Sequence, residues 1–179
     1  TIKALRYPIS PVVRVVCSST VIGKRISKTV RYSSPHPFCA MTVRSEFDDY
    51  CLTQTLAKGA SKQRIANIES IEEGPSRVTI HTDLGALRAK YLIGADGANS
   101  AVRRLTGQFQ ESEQGFALEA IAKGDCVVDH EMTFDLGVVP QGYAWVFPKG
   151  DHLNVGVFTN SKDVRINRST LRAYADRRI

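Results

Sequence analysis

The sequence predicts an α+β protein built mainly from antiparallel sheet. Short runs of β-branched and aromatic residues recur along the chain, and tight turns separate them. Helical periodicity is confined to a few short stretches. A chain of 179 residues is long enough for one good core, with room for a small annex.

The first third of the chain is predicted to contain two strands and one helix. β-Branched runs at residues 12–18 and 29–33 indicate the strands, and the Pro-rich stretch at 34–37 separates them from the helix. This helix is expected to start near Ser45, because Ser45 and Asp48 have the S-x-x-D spacing of a capping pair. Gly59 behind Lys58 is typical of a helix end.

The middle of the chain predicts a three-stranded antiparallel meander. Its strands are expected at residues 64–71, 77–82 and 86–93, joined by short turns. Val78 and Ile80 alternate with Thr79 and His81, which is typical of a half-buried strand. The meander leads directly into the Gly-Ala-Asp-Gly turn at residues 94–97.

The last third predicts a larger antiparallel sheet. Strands are expected at residues 116–123, 130–136, 143–148 and 153–159, with a hairpin turn at 148–151 between the last two. Residues 168–179 are expected to form the first turns of a helix that is cut short.

The turn after the meander has the composition of an anion site. A short helix is expected to open at Asn99 or Ser100, with Arg103 and Arg104 in its first turn. The unpaired N–H groups of a helix start attract anions, and two arginines beside them add charge that suits a phosphate. Most strand-to-helix turns bind nothing, so the pattern alone leaves both readings open.

Three aromatic residues alternate along one predicted strand. Tyr143, Trp145 and Phe147 therefore share one face of it. Such a face is either core or the dry wall of an apolar ligand pocket, and the pattern alone does not decide between them.

Composition excludes several functional classes. The net charge of +6 is spread along the chain, and aromatic residues do not interleave with the cations, so nucleic acid is not an expected partner. No metal site is expected, because the histidines are dispersed and the cysteines form no C-x-x-C pair. No leader or membrane-spanning run is visible, which predicts a cytoplasmic protein whose thiols are reduced. The four cysteines are Cys17, Cys39, Cys51 and Cys126.

The turn resembles the second flavin motif, or DG motif, of the group A flavoproteins. Asp96, Gly97, Ser100 and Arg103 match that motif position for position. In this family the motif lies against bound FAD and the approach path of a nicotinamide cofactor. Upstream, the segment that begins at Arg44 resembles the family's Arg-x-x-Phe-Asp element, and the resemblance implies that Arg44 reaches the flavin.

Residues 142–156 closely resemble the Tyr-x-Trp-x-Phe-Pro segment of the geranylgeranyl reductase branch. The resemblance implies a lipid pocket shaped by five residues: Tyr143, Trp145, Phe147, Pro148 and Gly156. The branch commonly ends this segment Gly-x-Gly. Here Phe158 stands at the second glycine, which is expected to narrow the pocket or change its substrate.

Three family elements have no counterpart in the sequence. They are the Gly-x-Gly-x-x-Gly turn that binds the FAD pyrophosphate, the branch's Cys-Gly-Gly segment and the later Gly-Asp segment. The chain is therefore expected to be an internal piece of a longer flavoenzyme, without the N-terminal Rossmann unit. Residues 1–107 would be a partial FAD-binding domain, and residues 108–179 the substrate-binding sheet.

The resemblance implies an FAD-dependent oxidoreductase that reduces C=C bonds of a prenyl (geranylgeranyl) chain on a chlorophyll precursor, lipid or quinone. NAD(P)H or a reduced electron carrier would be the donor, and loading a lipid substrate implies peripheral membrane contact. No catalytic residue is assigned. Two alternatives stay open: an FAD-dependent aromatic or polyene monooxygenase, and a non-catalytic module that binds a lipid or a partner.

Overall fold

The structure, a computed structural model, describes residues 7–111, 113–123 and 130–179. Cys126 lies outside these ranges. The chain divides into two compact units, one made of residues 1–59 and 115–179 and the other of residues 60–114.

The larger unit, unit 1, is a six-stranded sheet with a two-stranded ribbon and two helices. The ribbon pairs β1 (Val15–Cys17) with β4 (Cys39–Met41). The sheet strands are β2 (Ser19–Lys24), β3 (Lys28–Ser33), β8 (Phe116–Ala122), β9 (Glu131–Leu136), β10 (Gly142–Pro148) and β11 (Leu153–Thr159). The helices are α1 (Arg44–Ala57) and α3 (Arg168–Arg178), and a 3-10 turn covers Ser10–Val12.

The large sheet is mixed, with strand order β3-β2-β9-β10-β11-β8. β2 runs parallel to β9, and the other pairings in this sheet are antiparallel. The four strands predicted in the last third of the chain pair antiparallel, as expected, and the one parallel pairing arises where β2 joins them. A parallel pair needs a long connection between its strands. Here the whole of residues 25–130 intervenes between β2 and β9.

The two faces of the sheet are buried differently. On one face, Leu171 and Tyr174 of α3 pack against Val146, Val155 and Val157 of the central strands. The Tyr174 hydroxyl donates to a carboxylate oxygen of the fully buried Asp135 at 2.8 Å, and Arg178 pairs with the same oxygen at 3.2 Å. This charged contact fastens α3 to β9.

The opposite face packs in part against the β1–β4 ribbon. Val15, Cys17, Met41 and Met132 form a buried cluster there, and Phe134 and Phe147 lie against it. Burial raises the pKa of the Cys17 thiol to about 11, so this thiol is protonated at neutral pH.

The smaller unit, unit 2, consists of the meander and a short helix. The meander strands are β5 (Ile68–Glu73), β6 (Val78–Thr82) and β7 (Gly85–Ala89), and all pair antiparallel, as predicted. Helix α2 (Ala101–Thr106) packs against β5.

Several predicted elements differ from the structure at their ends. The third meander strand ends at Ala89 instead of residue 93, and Tyr91 and Ile93 are 84% and 85% exposed. Helix α1 begins at Arg44 behind Val43 without a side-chain cap, so the Ser45–Asp48 cap is wrong. The Asp48 carboxylate instead accepts from the Arg44 guanidinium at 2.6–2.8 Å.

The predicted boundary at residue 107 does not coincide with the division between the units. Residues 1–59 join the C-terminal sheet because β2 and β3 add to its edge beside β9. No helix in the described part of the chain is both long enough and apolar enough to cross a bilayer.

Candidate functional site

The Gly-Ala-Asp-Gly turn is held together by the Asp96 carboxylate. One carboxylate oxygen accepts the N–H groups of Ala101 and Val102 at 2.7 and 3.1 Å. The other accepts the Ser100 hydroxyl at 2.5 Å, and the Ser100 oxygen in turn caps the Arg103 N–H at 3.0 Å. The Ser100 hydroxyl and the Val102 amide are the main causes that lower the pKa of Asp96. The turn is thus pre-formed around one ionised carboxylate.

Of the two readings that the sequence pattern leaves open, this geometry argues against a phosphate at the helix start. The first N–H groups of α2 already have acceptors, namely Asp96 and Ser100. A phosphate placed there would meet the Asp96 charge and be repelled by it. Arg103 and Arg104 donate to the carbonyl oxygens of Ala98 and Asn99, each at 2.6 Å, so both guanidinium groups brace the turn.

Backbone is accessible on the outer side of the turn. Gly97 has φ +82°, a conformation that L side chains rarely adopt, and a Cβ added there would meet nothing within 4 Å. A flat or charged ligand group can therefore approach the main chain at Gly97. A cavity of about 370 Å³ borders the same turn; Tyr91, Gly94, Arg103 and Phe109 are among its lining residues.

In unit 1, five aromatic rings form a continuous layer on one side of the large sheet. We call this layer the aromatic face; its members are Phe134, Tyr143, Trp145, Phe147 and Phe158. Neighbouring ring centroids lie 5.1–6.1 Å apart. The prediction that Tyr143, Trp145 and Phe147 share a face is confirmed.

Trp145 is fixed by two neighbours on β11. Its indole N–H donates to the Asn154 side-chain oxygen at 2.7 Å. Gly156 lies directly opposite Trp145, and a Cβ added to Gly156 would lie 2.0–2.4 Å from the indole ring. Gly156 is therefore the residue that makes room for the indole.

Pro148 and Phe158 lie on opposite sides of the sheet. Pro148 is almost fully buried and alternates onto the side away from Tyr143 and Phe147, so the structure separates it from the aromatic face. Phe158 stands beside Tyr143, with ring centroids 5.2 Å apart. Phe158, which stands where the family pattern has its second glycine, thus adds a ring to the aromatic face.

A second cavity, of about 400 Å³, is formed entirely within unit 1. Trp145 and Phe147 form part of its wall, and Arg44 at the start of α1 lines it as well. The structure therefore brings Arg44, expected near the flavin, together with two residues expected near the substrate. Asp96, Gly97, Ser100 and Arg103 belong to unit 2.

The same cavity has polar residues that the sequence patterns did not single out. The Lys149 ammonium donates to the Thr42 carbonyl oxygen at 2.7 Å, and burial lowers the pKa of Lys149. Glu119, His152 and Asn154 also line the cavity. The sequence pattern places Lys149 in a hairpin turn and gives no indication of a binding role. Asn154 could have been found, because it lies two positions from Gly156 and therefore on the same face of the strand. No cluster of potential metal ligands occurs among the described residues.

Among known protein families, the sequence matches the FAD binding domain family over residues 12–131. An uncharacterised protein of Methanosarcina barkeri is 31% identical over 173 residues, which cover 96% of this chain and 45% of that protein. A digeranylgeranylglycerophospholipid reductase of Methanococcus vannielii is 31% identical over 125 residues, covering 64% of this chain and 32% of the reductase. The chain thus spans less than half the length of these curated relatives.

Solved structures share the fold. A geranylgeranyl bacteriochlorophyll reductase-like protein from Thermoplasma acidophilum superimposes with a TM-score of 0.75 at 23% identity, covering 98% of this chain and 48% of that protein. The halogenase PltM, in complex with phloroglucinol and FAD, gives a TM-score of 0.68 at 16% identity over 92% of this chain and 39% of the halogenase.

Proposed function

Since the chain belongs to the FAD binding domain family, we propose that it serves an FAD-dependent oxidoreductase of the geranylgeranyl reductase group, which hydrogenates C=C bonds of a prenyl chain. The similarity to a digeranylgeranylglycerophospholipid reductase and to a geranylgeranyl reductase-like structure supports this proposal. The prenyl chain would be carried by a lipid, a quinone or a chlorophyll precursor. The observation that carries the proposal is the aromatic face, because two of its rings line a cavity of about 400 Å³.

The Gly-Ala-Asp-Gly turn leaves its main chain accessible, so it suits close contact with the edge of an FAD molecule. Gly97 is open, and the turn around it is tied by the Ser100 hydroxyl and the Ala101 N–H, which both donate to the Asp96 carboxylate, so a flavin nucleotide would meet a pre-formed surface. Asp96, Gly97, Ser100 and Arg103 are the proposed cofactor-binding residues of this turn. The resemblance to the Arg-x-x-Phe-Asp element supports Arg44 as a further one. When bound, FAD supplies the two electrons for the reduction, and we propose NAD(P)H or a reduced electron carrier as their source.

The aromatic face would position the prenyl chain and exclude water. An isolated C=C bond offers no polar handle, so a site for it depends on apolar contact over a broad area. The Trp145 indole is 8% exposed, and its N–H is already bonded to Asn154, so the ring presents carbon to a ligand without an unsatisfied donor.

The polar end of the cavity would receive the non-prenyl part of the substrate. Besides Trp145 and Phe147 of the aromatic face, the cavity is lined by Lys149, His152 and Glu119. An ammonium group of this kind binds phosphate or carboxylate oxygens as a point charge. The change in lining from aromatic to charged residues therefore suits an amphiphilic molecule.

A flavin-dependent oxygenase or halogenase is the second candidate. Its support is the fold shared with the FAD-bound halogenase PltM. Such enzymes consume oxygen, whereas hydrogenation needs none, so oxygen dependence separates the two functions. A non-catalytic module that binds lipid would turn over neither kind of substrate.

The test is anaerobic reduction of geranylgeranyl substrates by the protein expressed with its flanking coding sequence. We expect product masses that increase by one H₂ for each double bond reduced. Trp145→Phe, which keeps an apolar ring, serves as the conservative control for Trp145→Ala. A product that forms only when oxygen is admitted would contradict the proposal and favour the second candidate.

A further inference from the structure

The β2–β3 hairpin carries an unusual concentration of positive charge. Residues 19–33 contain Lys24, Arg25, Lys28 and Arg31 and neither Asp nor Glu. Lys24 and Lys28 stand directly opposite each other in the register, an arrangement in which like charges repel. Arg31 pairs with Glu131 at 3.2 Å, whereas Lys24, Arg25 and Lys28 make no ion pair within the described part of the chain.

Exposed apolar side chains lie immediately beside these cations. Ile22 and Val30 are paired across the hairpin on the same side as the two lysines, and they are 45% and 71% exposed. Leu136, opposite Lys24 on β9, is 49% exposed. These three apolar residues and both lysines line an open, mostly apolar cavity of about 530 Å³.

Two further aromatic residues extend the apolar surface: Tyr32 on β3, and Phe38 just before β4. Tyr32 is 61% exposed and 45% of Phe38 is exposed, and their ring centroids lie 6.2 Å apart. Lysines alone on an edge strand serve to prevent strand pairing between molecules. That explanation does not account for the exposed valine, isoleucine, leucine and aromatic rings beside them.

The tip of the hairpin contacts the rest of unit 1. Arg25 and Ile26 at its tip have φ values of 51° and 67°, and the Arg25 N–H donates to the Leu136 carbonyl oxygen at 2.9 Å. Ile26 packs against the core formed by β10, β11 and α3. The tip of the hairpin is therefore bonded to β9 and joined to the sheet core, with the charged and apolar groups beside it.

We infer that the β2–β3 hairpin with Leu136, here called the basic apolar patch, is a docking surface for a bilayer that contains anionic lipids. The lysine ammonium groups match the lipid phosphates in charge, while Ile22, Val30 and Leu136 match the acyl region just below them. Lysine suits this boundary because its alkyl stem lies along apolar groups and its charge stays in water. The inference is independent of the proposed reaction and of FAD binding.

The test is co-sedimentation of this chain with phosphatidylcholine vesicles that contain or lack phosphatidylglycerol. The wild-type chain is expected to bind the anionic vesicles, and Lys24→Gln/Lys28→Gln is expected to lower the partition coefficient by about 30-fold. This double variant relieves a like-charge pair, so folding is not at risk. The matched control Lys58→Gln/Lys62→Gln removes the same charge from exposed positions outside the patch and should bind like wild type.

A second variant tests the apolar part. Val30→Ser keeps every charge and should weaken binding by about tenfold, including at high salt, where screening leaves apolar contact as the main contribution. Equal losses in the control and the patch variant would reduce the effect to net charge and overturn the inference. Absence of vesicle binding by the wild-type chain, or binding to heparin alone, would overturn it as well.

Discussion

Gly156→Ala is expected to dislodge Trp145 from the aromatic face. The added Cβ would lie 2.0 Å from one carbon of the indole and 2.4 Å from two others, far inside any real contact. Since both residues lie on adjacent strands in fixed register, the backbone cannot yield easily and the indole must rotate away. Rotation breaks the 2.7 Å hydrogen bond from the indole N–H to Asn154.

The magnitude follows from two contributions. Overpacking a well-filled site costs about 1–3 kcal/mol, and loss of one ordinary hydrogen bond costs about 1 kcal/mol. The free energy of unfolding of Gly156→Ala should therefore fall by about 2–4 kcal/mol. Gly74→Ala is the graded control, since Gly74 is exposed and its added Cβ would lie 3.2 Å from the Arg77 carbonyl oxygen, a tight contact but far milder than the one at Gly156. It should lower the free energy of unfolding clearly less than Gly156→Ala does and leave the tryptophan emission unchanged.

The assay is urea unfolding followed by intrinsic fluorescence, because Trp145 is the single tryptophan of the chain. The native-state emission of Gly156→Ala should shift to the red as the indole moves from 8% exposure toward solvent. A native emission spectrum and a urea midpoint equal to those of the wild type would refute the claim that Gly156 makes room for the Trp145 indole.

Four further outcomes are expected. Trp145→Ala should reduce prenyl turnover far more than flavin content, because the ring lines the cavity of unit 1; equal losses would make it a core residue only. In the protein expressed with its flanking coding sequence, Arg103→Ala should weaken FAD retention by about tenfold or more, since the guanidinium braces the Ala98 carbonyl oxygen at 2.6 Å; unchanged flavin content would contradict this role. Because the pKa of Asp96 is lowered, its carboxylate stabilises the fold fully above the ordinary pKa near 3.8, and this stabilisation is lost as the pH falls through the folded-state pKa. The stability of Asp96→Asn should therefore fall less in acid than that of the wild type. An acid unfolding profile equal to that of the wild type would argue against this role of Asp96. Tyr174→Phe should cost about 2 kcal/mol in urea unfolding because it removes the hydroxyl that donates to buried Asp135, whereas Tyr32→Phe at an exposed position should cost nothing; similar values for both would refute the assignment.

Local patterns were sufficient to predict much of the fold. The meander and the β10–β11 hairpin follow from alternation and turn residues, which are local properties. β2 was missed because its six residues, Ser19–Lys24, include Gly23 and end at a lysine, so no apolar run marks them. The parallel pairing of β2 with β9 depends on contacts between residues more than a hundred positions apart, which no local pattern reports.

The candidate site was predictable to a similar degree. The shared face of Tyr143, Trp145 and Phe147 follows from strand periodicity alone. The proximity of Arg44 to these rings does not, because it depends on where α1 packs in three dimensions. The turn pattern alone does not decide whether the helix start binds a phosphate. The structure disfavours it, because Asp96 is close enough to accept the first amides of α2 and the protein supplies its own anion.

Photo-crosslinking with a diazirine-bearing geranylgeranyl analogue tests the central claim most directly. Peptide mapping by mass spectrometry should locate the label in residues 142–159, on the strands that carry Trp145 and Phe158. Competition by unlabelled geranylgeranyl substrate should abolish the labelling. Labelling that resists competition, or that falls mainly on residues 60–114, would contradict the assignment of the aromatic face as the prenyl site.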